Sequence, residues 1–302
     1  MEHYDIVIIG GGCAGLTAAV YARRAQKSVL LLENNAFGGQ ITASAAVENF
    51  PGFQNIKGTE LADRLFAQAA ALGTETRFET ALSIEESENE KIVVTDGDRY
   101  SCGALIIAVG LRHRMTGLSG ENRLIGRGVS TCAVCDGALF RGKDTAVLGG
   151  GNTAVHDALY LADLCKSVTV IHRRDTFRAD AAAVEALSQK PNVRFLFHTV
   201  LKEIHGDERL SSLTVTDTET GEDSSLPVAG LFLAIGLLPQ NEPFQGVVEL
   251  DESGYIKAGE DCRTSCRGIF AAGDCRTKPL RQLATAAADG AVAATGACRF
   301  LS

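Results

Sequence analysis

Apolar positions in this chain gather into short runs that glycine closes, and their spacing predicts alternating strands and helices. The first run, residues 4–9, stops at Gly10-Gly11-Gly12-Cys13-Ala14-Gly15, after which residues 16–25 have helical composition. Residues 28–32 predict a second strand, closing on Glu33. The same order returns later: an apolar strand at 146–148, the turn Gly149-Gly150-Gly151-Asn152-Thr153-Ala154, a helix to about residue 164, and a strand at Ser167–Ile171. Between the two copies lie two loop-like stretches, Phe37-Gly38-Gly39-Gln40 and Val47-Glu48-Asn49-Phe50-Pro51-Gly52. A helix over 59–72 follows. Alternating segments at Glu75–Phe78, Lys91–Thr95 and 99–101 predict a small antiparallel sheet ahead of a strand at 104–108 that ends at Val109-Gly110. Residues 231–236 nearly copy that strand end. The second half adds a helix at Ala181–Ser188, strands near 193–197, 200–205 and 211–217, a strand over 268–274 that ends in an acid, and an alanine-rich helix over about 281–300.

A strand, a tight glycine turn and a helix form the device that lets backbone approach a pyrophosphate seated on the helix N-terminus. Gly10, Gly12 and Gly15 are spaced for it, and Glu33 stands where an adenosine ribose needs an acceptor. The second copy keeps this register: Gly10 to Glu33 and Gly149 to His172 are both 23 positions. What differs is the residue there. An acid suits a free 2′-hydroxyl, whereas His172, Arg173, Arg174 and Arg178 form a cationic group suited to a 2′-phosphate, the feature that separates NADP from NAD. Asp274 at a strand end and Arg281-Gln282 at a helix start are placed to meet a ribityl chain or a flavin ring. The expected architecture is α/β with two Rossmann-like dinucleotide-binding domains. The first, residues 1–114, is completed by 242–302, and the second, 115–241, is inserted between them.

Composition narrows the partners. With 302 residues, 45% of them apolar, the chain can bury two cores. A net charge of −8 argues against general binding to nucleic acid or anionic membrane. No run of about 18 apolar residues and no signal-peptide pattern occurs, so a cytoplasmic protein is expected. Nine cysteines, an odd number without even spacing, fit a reducing compartment with one special pair. Cys262 and Cys266 are four apart with no second half-site nearby, so plain thiols are expected there and no metal. The special pair is Cys132 and Cys135 in Thr131-Cys132-Ala133-Val134-Cys135-Asp136-Gly137. Two thiols at that spacing can close into a reducible disulfide, and Asp136 can pass protons as it opens. Half a zinc site or two ordinary buried cysteines are the alternatives.

From residue 4 to residue 300 the chain resembles the low-molecular-weight, bacterial-type thioredoxin reductases. The likeness rests on both glycine turns, Gly38-Gly39-Gln40, Val47-Glu48-Asn49, the Cys132–Asp136 stretch, His172 to Arg178, and Gly273-Asp274 with Arg281-Gln282. It implies a homodimer that reduces thioredoxin or a thioredoxin-like protein with electrons from NADPH. FAD would be held by Gly10, Gly12, Cys13, Ala14, Gly15, Glu33, Gly38, Gly39, Gln40, Asn49, Gly110, Gly273, Asp274, Arg281 and Gln282. NADPH would be held by Gly149, Gly151, Asn152, Thr153, Ala154, His172, Arg173, Arg174 and Arg178. It also implies a rotation between domains, with Cys135 facing the flavin, Cys132 attacking the partner and Asp136 handling protons. The chain departs from the family pattern at three places. Cys13 replaces a proline, His156 stands where glutamate is common, and Ala138-Leu139 replace aromatics that grip the partner in some members. A ferredoxin-dependent flavin reductase of the same fold, or a reductase of another small dithiol protein, is the competing expectation.

Overall fold

The first apolar run is β1 (Glu2–Ile9), whose residues are buried on both faces from Ile6 onward. A computed structural model describes residues 1–44, 47–86 and 90–302 and divides the chain into two compact units: Met1–Arg112 with Pro239–Ser302, and His113–Leu238. In chain order, the first unit continues with α1 (Cys13–Arg24), β2 (Val29–Glu33), α2 (Gly58–Ala71), β3 (Glu75–Phe78), β4 (Ala81–Glu86), β5 (Lys91–Thr95) and β6 (Arg99–Ile107). After the crossing strand β7 (Leu111–His113), the second unit holds α3 (Glu121–Leu124), β8 (Val129–Ser130), α4 (Ala133–Asp136), β9 (Asp144–Leu148), α5 (Asn152–Ala162), β10 (Ser167–Ile171) and α6 (Ala181–Ser188). It ends with β11 (Val193–Leu196), β12 (Thr199–His205), β13 (Ser212–Asp217), β14 (Asp223–Pro227) and β15 (Gly230–Leu233). The returning strand β16 (Leu237–Pro239) pairs with β7, and β17 (Ile269–Ala271) and α7 (Leu283–Phe300) complete the first unit.

The first unit's sheet runs β3-β2-β1-β6-β5-β4, with β17 also on β6. Two expectations change here. Glu75–Phe78 does not join an antiparallel sheet; it pairs parallel with β2 at the sheet edge. The chain reaches it through α2, and a helical crossover returns a strand parallel, which alternation of apolar residues does not reveal. Segments 99–101 and 104–108 are one strand, because β6 pairs antiparallel with β5 through its first half and parallel with β17 through its second. Ile6 and Ile8 face a core with α1 and α7, while Val7 and Ile9 face another with Val93, Phe244 and Ile256. Burial on both faces explains the continuous apolar run. Helices α1 and α7 approach closely: a Cβ on Gly290 would lie 2.2 Å from the Ala14 carbonyl oxygen. That spacing accounts for the alanine-rich composition of α7.

The second unit has an all-parallel sheet, β11-β10-β9-β15-β8, and a separate antiparallel meander, β12-β13-β14. Ala154, Val155, Ala158 and Leu161 of α5 cover one face of the parallel sheet. Leu213, Val215 and Leu226 of the meander belong to the core on its other side.

Candidate active site

In the first unit, Gly10 has φ +106°, and a Cβ there would meet the Ala108 carbonyl oxygen at 2.4 Å. Only glycine fits such a turn. Gly15 packs on the Gly10 oxygen, whereas a Cβ on Gly12, the residue before α1, would meet nothing within 4 Å. The turn therefore leaves open backbone at the N-terminus of a 12-residue helix with no acid in its first turn. Gly38 bonds its N–H to the Gly11 oxygen at 2.8 Å, and Gly39 lies against Gly12. Glu33 accepts N–H bonds from Gly11 at 2.7 Å, Asn34 at 3.0 Å and Asn35 at 2.9 Å. A carboxylate offers about four acceptor positions, so one remains for a sugar hydroxyl.

The C-terminal residues converge on the same turn. Gly273 sits against Ala14, and the Cys13 thiol donates to the Leu283 oxygen at 3.5 Å. Burial pushes that thiol up to about 11, so it stays protonated. Asn49 donates to the Gln282 side chain at 3.0 Å, and Gln282 caps α7 with a reciprocal bond to Thr285. The Arg281 guanidinium stacks 4.2 Å from the Tyr255 ring and reaches the Asp274 carbonyl at 3.5 Å. Gln40 is exposed and donates to the Leu111 oxygen, while Gly110 has φ +63° with open space beside it. Asp274 carries the clearest mark of a ligand: its Oδ1 is buried without a partner, and burial raises its carboxyl despite Lys278 and Arg281 nearby. A buried acceptor left unmatched costs about 1–3 kcal/mol, and a ribityl hydroxyl would satisfy it. Sequence reasoning missed what holds Asp274 in place. Asp289, itself buried, accepts the Gly273 N–H at 2.9 Å, Arg276 at 2.8 and 2.9 Å, and Lys278 at 2.8 Å. Its partners lie 11 to 16 residues away, and nothing local signals the pairing.

In the second unit, Gly149 packs on the Ala234 oxygen, and Gly151 is as open as Gly12. The unit positions its residues differently from one another, however. His172 is buried beneath Gly150, donates Nε2–H to the Thr176 carbonyl at 3.0 Å and stacks on Phe177. Burial, with Arg174, Arg173 and Arg178 close by, lowers its pKa, so the ring is neutral and supports the turn rather than adding charge. Arg178 is tied to the turn by its N–H to the Gly150 oxygen at 2.7 Å. Among the described residues no carboxylate pairs with the guanidinium of Arg173, Arg174 or Arg178. Asn152 is exposed and accepts the Asp180 N–H, Thr153 is exposed, and Ala154 is buried in the core.

The same unit carries the cysteines. Cys132 and Cys135 form a disulfide with Cα atoms 5.3 Å apart. The Cys132 sulfur caps α4 by accepting the Cys135 N–H at 3.1 Å, a bond that favours the thiolate once the disulfide opens. Ser130 donates to Asp136 Oδ2 at 2.6 Å and accepts the Cys132 N–H at 3.0 Å, linking carboxylate and cysteine through one hydroxyl. Cys135 is exposed, Cys132 and Asp136 half-buried. The apolar run beyond them divides. Phe140 is buried edge-on to Phe232, whereas Leu139 is 67% exposed. Among the described residues no group of three or more His, Cys, Asp or Glu side chains is arranged to hold a metal ion.

Two glycine-turn nucleotide sites with one short-loop disulfide define a flavin- and nicotinamide-linked disulfide oxidoreductase, and residues 4–291 match the family described as pyridine nucleotide-disulphide oxidoreductase. The chain belongs to that family. It is 42% identical to thioredoxin reductase of Bacillus subtilis over 292 residues, covering 96% of this chain and 92% of the relative. It is 43% identical to thioredoxin reductase of Streptomyces coelicolor, covering 99% and 94%. The solved thioredoxin reductase of Lactococcus lactis, in its FR conformation, matches with a TM-score of 0.90 at 40% identity over 99% of both chains.

Proposed function

We propose that this protein is an NADPH-dependent flavoenzyme that reduces the disulfide of thioredoxin through Cys132 and Cys135. The observation that carries this reading is the Cys132–Cys135 disulfide in the same unit as a glycine turn flanked by three arginines without carboxylate partners among the described residues. The first unit binds FAD, with the pyrophosphate over the open Gly12 turn, the adenosine ribose at Glu33 and the ribityl chain at Asp274. The inserted unit binds NADPH, with the 2′-phosphate at Arg173, Arg174 and Arg178. FAD, when bound, accepts a hydride from the nicotinamide and passes two electrons on. The Cys132–Cys135 bond breaks as it takes up those electrons, and the hydride's proton together with one from solvent yields two thiols. Asp136, held by Ser130, exchanges that solvent proton. Cys132, the sulfur bonded to an N–H, then attacks the partner's disulfide as thiolate, and Cys135 displaces it, restoring the original bond and releasing reduced thioredoxin. Exposed Leu139 flanks the exchange site and contacts the partner.

The ferredoxin-dependent reading is disfavoured because it leaves the three arginines without a ligand. Seven free cysteines support a reducing cytoplasm, and among the described residues no helix is long and apolar enough to cross a membrane. A homodimer, implied by the family likeness, is tested by sedimentation mass. The test of function is NADPH oxidation at 340 nm with oxidised thioredoxin. Turnover with reduced ferredoxin but not with NADPH would refute it.

A further inference from the structure

One exposed aromatic ring stands beside the ribose acceptor of the first nucleotide site. Phe78 ends β3, is 68% exposed, and is the parallel partner of Glu33. Side chains of register partners lie on one face about 4.8 Å apart, so this ring borders the Glu33 carboxylate. Its inner side is set by packing. Phe37 lies against it, centroids 4.9 Å apart and planes at 59°, and Phe37 stacks in turn on Phe66 at 4.5 Å. Phe37 itself fills the space over Gly11, where a Cβ would meet its ring at 2.6 Å. Gly11 is the residue whose N–H Glu33 accepts. The glycine turn, the ribose acceptor and a ring with a free outer face thus follow one another along the carboxyl ends of β1, β2 and β3. Single exposed aromatics need no explanation in general, but this one leans on Phe37, which Phe66 backs in turn, and it is the strand neighbour of Glu33.

We propose that Phe78, braced by Phe37 and Phe66, is the platform on which the adenine of FAD stacks, and that it selects the dinucleotide flavin over the mononucleotide. This rests on the reading that the first unit holds FAD with its adenosine ribose at Glu33. FMN lacks the adenylate half and gains nothing from the ring. Stacking of a base on an aromatic side chain corresponds to about a 5- to 150-fold change in affinity on truncation.

The experiment titrates the full-length chain, freed of flavin, with FAD and separately with FMN by quenching of flavin fluorescence. Phe78→Ser is expected to weaken FAD about 5- to 150-fold while leaving FMN unchanged, and Phe78→Tyr to restore wild-type FAD affinity. Because Phe78 is exposed, Phe78→Ser should keep the wild-type thermal midpoint. FAD affinity unchanged in Phe78→Ser, or FAD and FMN weakened in parallel, overturns the platform. Glu33→Ala separates the two readings: if it leaves FAD affinity intact while Phe78→Ser lowers it, the ribose assignment fails and the stacking ring stands. A wild-type chain that binds neither flavin overturns both.

Discussion

The choice of nicotinamide is the sharpest consequence of the second site. Arg173 and Arg178 are exposed and Arg174 half-buried, and none has a carboxylate partner among the described residues. A phosphate monoester carries about −1.5 to −2 charges at neutral pH, and each charge-assisted contact contributes about 1.5–3 kcal/mol. Solvent screening at exposed guanidiniums places these contacts at the low end, so two of them amount to about 3 kcal/mol. At about 1.36 kcal/mol per factor of ten, NADPH should exceed NADH by at least ~100-fold in kcat/KM. Arg173→Ala with Arg174→Ala should erase most of that ratio through KM for NADPH, leaving NADH turnover and the FAD content of purified protein unchanged. The preference should also shrink with salt, since exposed charges are screened within about 10 Å at 0.1 M. Bleaching of the flavin band by each nicotinamide in a stopped-flow instrument reads the ratio. Equal rates in the wild type, or equal losses for both donors in the double variant, would refute the reasoning.

Cys132→Ser and Cys135→Ser should each abolish thioredoxin reduction yet leave flavin reduction by NADPH intact; turnover by either variant contradicts the exchange route. Asp136→Asn should slow exchange by about 100- to 10,000-fold, and an unchanged rate would leave Asp136 as a capping partner of Ser130 only. Leu139→Asp should raise KM for thioredoxin without altering flavin reduction, because the side chain is exposed rather than packed; an unaltered KM removes it from the contact surface. Burial pushes the Asp289 carboxyl up, but hydrogen bonds from Arg276, Lys278 and the Gly273 N–H outweigh it and hold the group below the ordinary range. Its folded pKa is thus depressed, so its stabilisation is present above the unfolded value of about 3.9 and is lost as pH falls through the folded value. Asp289→Ala, which removes the one buried carboxylate that Arg276 and Lys278 share, should cost about 3–5 kcal/mol in urea unfolding at pH 7, and Asp289→Asn should flatten the acid limb of stability; equal acid sensitivity in the Asp289→Asn variant and the wild type contradicts this.

Much of the chemistry was legible along the chain because it is local. Each glycine turn, the residue 23 positions beyond it and the Cys132–Asp136 stretch lie within one strand–turn–helix unit or one turn of helix, where spacing alone constrains geometry. Strand identity was legible too, since a sheet buried on both faces demands continuous apolar runs. Pairing was not. Alternation marked Glu75–Phe78 as a strand but could not say that it lies parallel beside β2, nor that two short segments form the single strand β6. Cationic character in residues 172–178 was evident, yet only the packing of Gly150 against His172 showed that the imidazole is buried and neutral while the arginines stay open. The Asp289 network and the Phe37–Phe66–Phe78 stack unite residues whose meeting depends on which helix covers which strand end. Such contacts follow from three-dimensional packing across long stretches of chain, a quantity that no local spacing encodes.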